Sequence, residues 1–259
     1  MDSDPRHWIT ALRASHDRLA SMTRSLDVEE LNGPSYDSEW TIAQVLSHLG
    51  SQAEIFSLFL DAGLEGADPP GPDAFPPIWD AWNARSALEQ AADSLKANEA
   101  FVQRVEALSD AELAEMRLSM FGMDLDSVGL LRMRLGEHAV HTWDVAVALD
   151  PSAEVAADAT GLLIDGVGGL AARVGHAQPP SRRLRVRTTG PERDLLLSVA
   201  DDVRIEGWHD QEADGELVLP AAALLRLVYG RLDEAHTPAV SVDPPGDPLD
   251  GLRRVFTGF

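Results

Sequence analysis

The stretch from Asp126 to Leu149, DSVGLLRMRLGEHAVHTWDVAVAL, limits this chain more than any other. It is long enough for roughly six helical turns. Leu130, Leu131, Leu135, Ala139, Val140, Val145 and Val147 recur at three- and four-residue steps, so much of the cylinder is fit to pack against other elements. Glu137, His138, His141 and Asp144 nevertheless stand in the same helix. Acidic and imidazole groups on a packed helix must be paired, hydrogen-bonded or metal-bound. Glu137 and His141 are four residues apart, which stacks them on one face about 5–6 Å apart at Cβ. They read either as an ordinary helix ion pair, worth a few tenths of a kcal/mol, or as two metal ligands in want of a third.

The segments before it predict three more helices. Trp8, Ile9, Leu12, His16, Leu19 and Met22 fall at helical steps between Pro5 and Leu26, and Asn32, Gly33, Pro34 and Ser35 then form a turn cluster. Thr41 with Gln44 three residues later is a capping box, with Trp40 ahead of it as a possible staple partner of Val45. A second helix is expected from Ile42 to Ala62, stopped by Gly63, with His48 beside Gln44, Val45 and Ile55. Gly66, Pro69, Pro70, Gly71, Pro72, Pro76 and Pro77 follow, a candidate lid loop. A third helix is expected from Ile78 to Leu108, then a short helical turn from Ser109, with Asp126 or Ser127 capping the fourth helix. Mostly short connections suggest an up-and-down four-helix bundle whose second and fourth helices face each other.

After Pro151 the pattern from Ala153 to Val174 is helical but weakened by Gly161, Gly166, Gly168 and Gly169, read as points of close helix packing. Beyond Gln178 and Pro179 the period changes to two. Leu184, Val186 and Thr188 alternate with Arg183, Arg185 and Arg187, and short strands are expected around Leu195–Val199, Val203–Ile205 and Leu217–Leu219. A helix from Ala221 to Tyr229 follows, begun by Pro220 and stopped by Gly230. The expected fold is α+β and mostly α: a bundle over residues 1–150, a connector helix and linker over 151–180, and a small α+β domain with an antiparallel sheet over 181–259.

With 43 acidic against 21 basic side chains the net charge is -22. Such a field repels nucleic acid and anionic membranes, so neither is expected as a partner. No uninterrupted apolar run reaches membrane-spanning length and no signal-like leader precedes the first helix, which gives the expectation of a soluble cytoplasmic protein. There is no cysteine, and therefore no thiolate ligand or thiol nucleophile in the chain. No G-x-S-x-G, P-loop or G-x-G-x-x-G stretch occurs.

If the second helix faces the fourth, His48 completes a set with Glu137 and His141. Two imidazoles and a carboxylate suit Zn²⁺, with Ni²⁺, Fe²⁺ or Co²⁺ as alternatives, and three protein ligands leave an open position. His48 by itself also reads as a hydrogen-bonded core histidine. His138 lies about 100° around the helix from Glu137 and faces elsewhere, toward a supporting or surface role. Asp144 either orients His141 on the cofactor side of the site or serves as a capping or salt-bridging carboxylate.

WTIAQVLSHLG (Trp40 to Gly50), GEHAVHTWDVAVAL (Gly136 to Leu149) and LLRLVYGRL (Leu224 to Leu232) resemble the mycothiol-dependent maleylpyruvate isomerase family, in this order along nearly the whole chain. The resemblance implies a DinB-like four-helix bundle followed by a small C-terminal α/β domain. It implies metal ligation, usually of zinc, by His48, Glu137 and His141, and an active-site arginine for which Arg231 in the YGR stretch is the nearest match; a surface arginine after a glycine stop is the other reading. It also implies mycothiol as the thiol that the cysteine-free chain lacks, with Arg231 binding a substrate carboxylate. Members divide between thiol transfer to an electrophilic small molecule, many of them reactive metabolites to be detoxified, and isomerisation of a maleylpyruvate-like substrate. A metal-dependent hydrolase or a non-catalytic binding module on the same scaffold stands as the alternative, with a monomer or homodimer expected.

Overall fold

A computed structural model describes residues 2–36, 39–244 and 248–258. The chain divides into two compact units, residues 2–154 and 155–259.

The first unit begins with α1 (Pro5–Thr23), whose first turn carries Pro5 and is capped by Asp4, and the single-turn α2 (Val28–Leu31), capped reciprocally by Asp27 and Glu30. The Thr41–Gln44 capping box starts α3 (Ile42–Glu65) where expected. That helix does not stop at Gly63, which packs against Met116 and Leu118; it ends at Gly66, whose φ of 64° is the left-handed conformation that closes a helix cheaply only in glycine. The proline-rich stretch is shorter than a lid. A 3-10 turn at Pro72–Ala74 leads into α4 (Phe75–Asn83), where Pro76 and Pro77 lie in a first turn that has no use for their missing N–H groups.

The single third helix expected from Ile78 to Leu108 is two. Ser86, boxed with Glu89, caps a new start, so α5 runs Ala87–Glu106. After α6 (Asp110–Glu115), boxed by Ser109 and Glu112, the chain makes a hairpin of β1 (Arg117–Met120) and β2 (Met123–Asp126) in place of the plain connection expected. Asp126 then accepts from the Gly129 N–H to cap α7 (Ser127–Leu149).

The four long helices form a bundle in which α3 packs mainly on α5 and α1 mainly on α7, with α1–α5 and α3–α7 contacts closing the ring. Arg6 meets Asp110, and Arg13 meets Glu99 and Glu106, so α1 runs antiparallel to α5. Phe56 meets Phe101 and Asp61 meets Arg104, so α3 and α5 run parallel, which the intervening α4 makes possible. The second and fourth long helices are neighbours, as the sequence suggested.

In the second unit α8 (Ala157–Leu163) and α9 (Val167–Val174) precede a sheet of β3 (Arg182–Thr189), β4 (Arg193–Val199), β5 (Val203–Gly207), β6 (Gly215–Pro220) and β7 (Ser241–Asp243). Its order is β5-β4-β3-β6-β7, antiparallel except for the β3–β6 pair, which is parallel. The expected connector helix packs on the sheet: a Cβ on Gly168 would lie 2.2 Å from the Ile205 carbonyl oxygen, so only glycine lets α9 approach β5 this closely. Helix α10 (Ala221–Val228) follows Pro220 and gives way to the left-handed Gly230, and α11 (Pro248–Val255) is the last helix. No helix among the described residues is long and apolar enough to cross a membrane.

Candidate metal centre

His48 projects from the second turn of α3 toward Glu137 and His141, one turn apart on α7. Its Nε2 lies 3.3 Å from Glu137 Oε2, and His141 Nε2 lies 3.7 Å from that same oxygen. The two imidazole rings stand 4.6 Å apart at their centroids, inclined by 63°, and one donor atom from each of the three residues lies within 4.8 Å of the others. Ligand atoms about 2.0–2.1 Å from a tetrahedral zinc ion stand about 3.3 Å from each other, so the spacing and donor chemistry fit a divalent metal.

The His141 ring is held from behind. Its Nδ1 is 2.8 Å from Asp144 Oδ2, a hydrogen bond that places a proton on Nδ1 and turns Nε2 toward Glu137. Asp144 has a side chain only 1% exposed, so it meets any ligand at this centre through His141 and not directly. The side chains of His48, Glu137 and His141 are 21%, 30% and 12% exposed, which leaves the cluster open on one side.

The protonation states suit ligation. Burial works to raise the Glu137 pKa, but the hydrogen bond to His48 and the nearby His141 and Arg134 overcome it and hold the carboxyl at about 2. Burial pulls His48 below its ordinary value, assisted by the neighbouring His141 and opposed by Glu137. Near neutral pH the pair is carboxylate and neutral imidazole, the forms that bind metals.

His138, one residue from Glu137, points into the bundle as the helical angle requires, and it is fully buried. Ser15 Oγ and Thr142 Oγ1 lie 2.9 and 3.2 Å from its Nδ1. A surface role is thereby excluded. Arg231 belongs to the second unit, where its guanidinium donates to the Tyr229 carbonyl at 2.7 Å.

Two features of the site escaped the sequence reading. The Trp40 ring, expected as a staple, lies 5.3 Å from the His48 ring and 6.3 Å from that of His141, nearly parallel to the latter at 16° and still 36% exposed. Its segment is anchored on both helices: the Ile42 N–H of α3 donates to the Gly33 carbonyl, and the Tyr36 N–H donates to that of Asp144 on α7. An aromatic before a cap reads as a staple, and only the closeness of α7 turns it into a wall of the site. Arg134 is buried between Phe56 and Phe101, bonded to the Leu49 carbonyl and Asn98, and adds positive charge near Glu137. Its place one turn before His138 was the available signal.

The sequence profile of the mycothiol maleylpyruvate isomerase N-terminal domain matches residues 12–146, more than half of the chain and all three residues of the centre. The chain belongs to that family. A crystal structure of the mycothiol-dependent maleylpyruvate isomerase superimposes with a TM-score of 0.67 over 95% of both chains at 13% identity, and a histidine-to-alanine mutant of that enzyme does so equally. At that identity the likeness establishes a shared fold across both units. A Geobacillus thermodenitrificans protein provisionally named a metal-dependent hydrolase is 44% identical over 46 residues, 18% of this chain. The match spans about a quarter (26%) of that relative's length.

Proposed function

We propose that this member of the mycothiol maleylpyruvate isomerase family is a divalent-metal-dependent enzyme using mycothiol as its thiol cosubstrate, with His48, Glu137 and His141 as ligands of a zinc ion. It would transfer the thiol to an electrophilic small molecule or use it to isomerise a maleylpyruvate-like substrate. The observation that carries this reading is the convergence of the three donors with the His141 ring fixed by buried Asp144.

When bound, a divalent ion supplies Lewis acidity that brings a thiol pKa toward neutrality. The chain's own groups do the rest. Glu137 brings the negative charge, His48 and His141 bring ring nitrogens, and Asp144 keeps a proton on His141 Nδ1. Trp40 walls one side and limits water at the reacting atoms. No cysteine competes for the metal or for the electrophile. Arg231 is assigned to a substrate carboxylate, which its planar fork suits.

Metal analysis of protein purified without added metal, followed by incubation with mycothiol and a panel of electrophiles read by mass spectrometry, tests the proposal. One metal equivalent, with metal- and thiol-dependent conjugation or isomerisation, is expected. Far less than one equivalent together with indifference to chelators overturns it. Arg231→Ala should weaken handling of acidic substrates at full metal content; metal loss in that variant would make the arginine structural. The 46-residue likeness to the Geobacillus protein favours a second reading, hydrolysis by an activated water. Turnover of an electrophilic ester or amide with no thiol present would select it.

A further inference from the structure

The bundle has a hollow on another side. Helix α1 ends at Thr23 and the single-turn α2 takes its place, while α5 continues alongside with small residues facing inward. The result is a cavity of about 470 Å³, within the usual size range of small-molecule sites. One face of α5 forms its long wall: Leu88, Ala91, Ala92, Leu95, Lys96 and Glu99 follow at helical steps, apolar at one end and charged at the other. Leu26 and Leu31 face them across the apolar end. Leu88 keeps 54% of its surface in water, an apolar rim without cover among the described residues.

The charged end carries both signs. Glu99 is already engaged, bonded to Arg13 through both oxygens and 2.9 Å from His16 Nε2. His16, Asp17 and Glu99 bring donor atoms within 4.8 Å, but the Arg13 guanidinium occupies Glu99, which opposes a cation there. Two other basic groups border the cavity. Arg24 makes no ion pair among the described residues, and Lys96, the single lysine of the chain, holds Asp93 at 2.9 Å. With Glu99 covered by Arg13 and Lys96 shared with Asp93, Arg24 is the basic group here left with no ion pair among the described residues, in a chain of net charge -22.

We propose that the hollow between α1, α2 and α5 is a second ligand site, separate from the metal centre, that takes a small amphipathic carboxylate. The apolar body lies along Leu88, Ala91 and Leu95 and the carboxylate turns toward Arg24 and Lys96. The metal centre is formed by α3 and α7, across the ring of helices from the α1–α5 side, so the two sites share no residue.

Reductive ¹³C-methylation of the single lysine places an NMR reporter in this cavity, with only the terminal amine labelled besides. Octanoate titrated into the labelled protein should shift the Lys96 signal saturably, and the neutral octanamide should bind at least about tenfold more weakly. Calorimetry on unlabelled variants should give octanoate affinity about tenfold lower in Arg24→Glu, no binding in Leu95→Trp, and unchanged binding in His48→Ala. Should Leu95→Trp fail to fold, Ala92→Phe fills the same space from an exposed position. No saturable shift up to millimolar octanoate overturns the proposal. So does equal affinity in the filled variants, or loss of binding in His48→Ala, which would mean that the carboxylate sits at the metal centre. A concentration-dependent dimer abolished by Leu95→Trp, without octanoate binding, would give the hollow to a second copy of the chain instead.

Discussion

Two imidazole pairs cross this bundle, and they meet their glutamates in different ways. His48 and His141 stand 4.6 Å apart, both turned to one carboxylate oxygen, with Asp144 behind His141 and solvent in front. His16 and His138 stand 6.3 Å apart in the closed interior, 2% and 0% exposed, where His16 Nδ1 and His138 Nε2 meet no hydrogen-bond partner among the described residues. Both pairs have a glutamate within reach. What separates them is where the positive charge lies. Arg13 is bonded directly to Glu99 and saturates it, whereas Arg134 acts on Glu137 without bonding to it and leaves its oxygens to the imidazoles. Residue types recruit candidates; the charge next to the carboxylate and the path to solvent select among them.

The largest expected effect tests that selection directly. His48→Ala should lose its metal and more than about 100-fold of activity, beyond the range typical of outer-shell changes. Glu99→Gln should keep full metal content and lose only about 1 kcal/mol of stability, since the pair is half-buried and Arg13 keeps Glu106 as a partner. Equal metal loss in the two variants, by elemental analysis, would dissolve the distinction.

Asp144→Asn should come next, with metal affinity lowered about 10- to 100-fold because an amide cannot hold the Nδ1 proton as a carboxylate does. Chelator competition reads this, and unchanged affinity would return Asp144 to a purely structural role.

Stability against pH should distinguish the pairs further in metal-free protein. Burial lowers the pKa of His16, His48 and His138 in the fold, so the folded state takes up protons less readily than the unfolded chain. Their contribution is complete above the unfolded value of 6.5 and is lost as pH falls below it. Glu137, with its folded value of about 2 against 4.5, adds a second loss from about pH 4.5 downward. Denaturant melts from pH 8 to 4 should fall, and His138→Asn should flatten the first step; a wild-type profile level between pH 7.5 and 5 would break this reading.

The smallest effect expected is at Trp40. Trp40→Phe should retain metal while removing the part of the tryptophan fluorescence that Ni²⁺ or Co²⁺ quenches on binding, since the ring lies 5.3 and 6.3 Å from the two imidazoles. Undiminished quenching in that variant would take Trp40 away from the site.

The sequence went far with helix starts. Thr41–Gln44, Ser109–Glu112 and Asp126 act over three residues, and their local hydrogen bonds are written in the chain. It missed where a local signal had a competitor. Ser86–Glu89 is an equally good box, but the apolar period runs on either side of it, so one long helix looked continuous across 84–86. Gly63 looked like a stop, yet helix propensity tolerates one glycine and the αL turn waits for Gly66.

By itself, then, the sequence determined the helical periods, most of the caps, the four-residue spacing of Glu137 and His141, the absence of any thiol, and a family likeness tying His48 to that pair. These are properties of near neighbours in the chain, settled by turn geometry and residue chemistry. Only the tertiary structure decided that His48 lies 89 positions from Glu137 in sequence yet 3.3 Å from it in space, that Arg13 closes the competing carboxylate, and that Trp40 faces the imidazoles. Each of these depends on which helices pack side by side, and that choice is made by the summed burial of whole faces, which no single residue records.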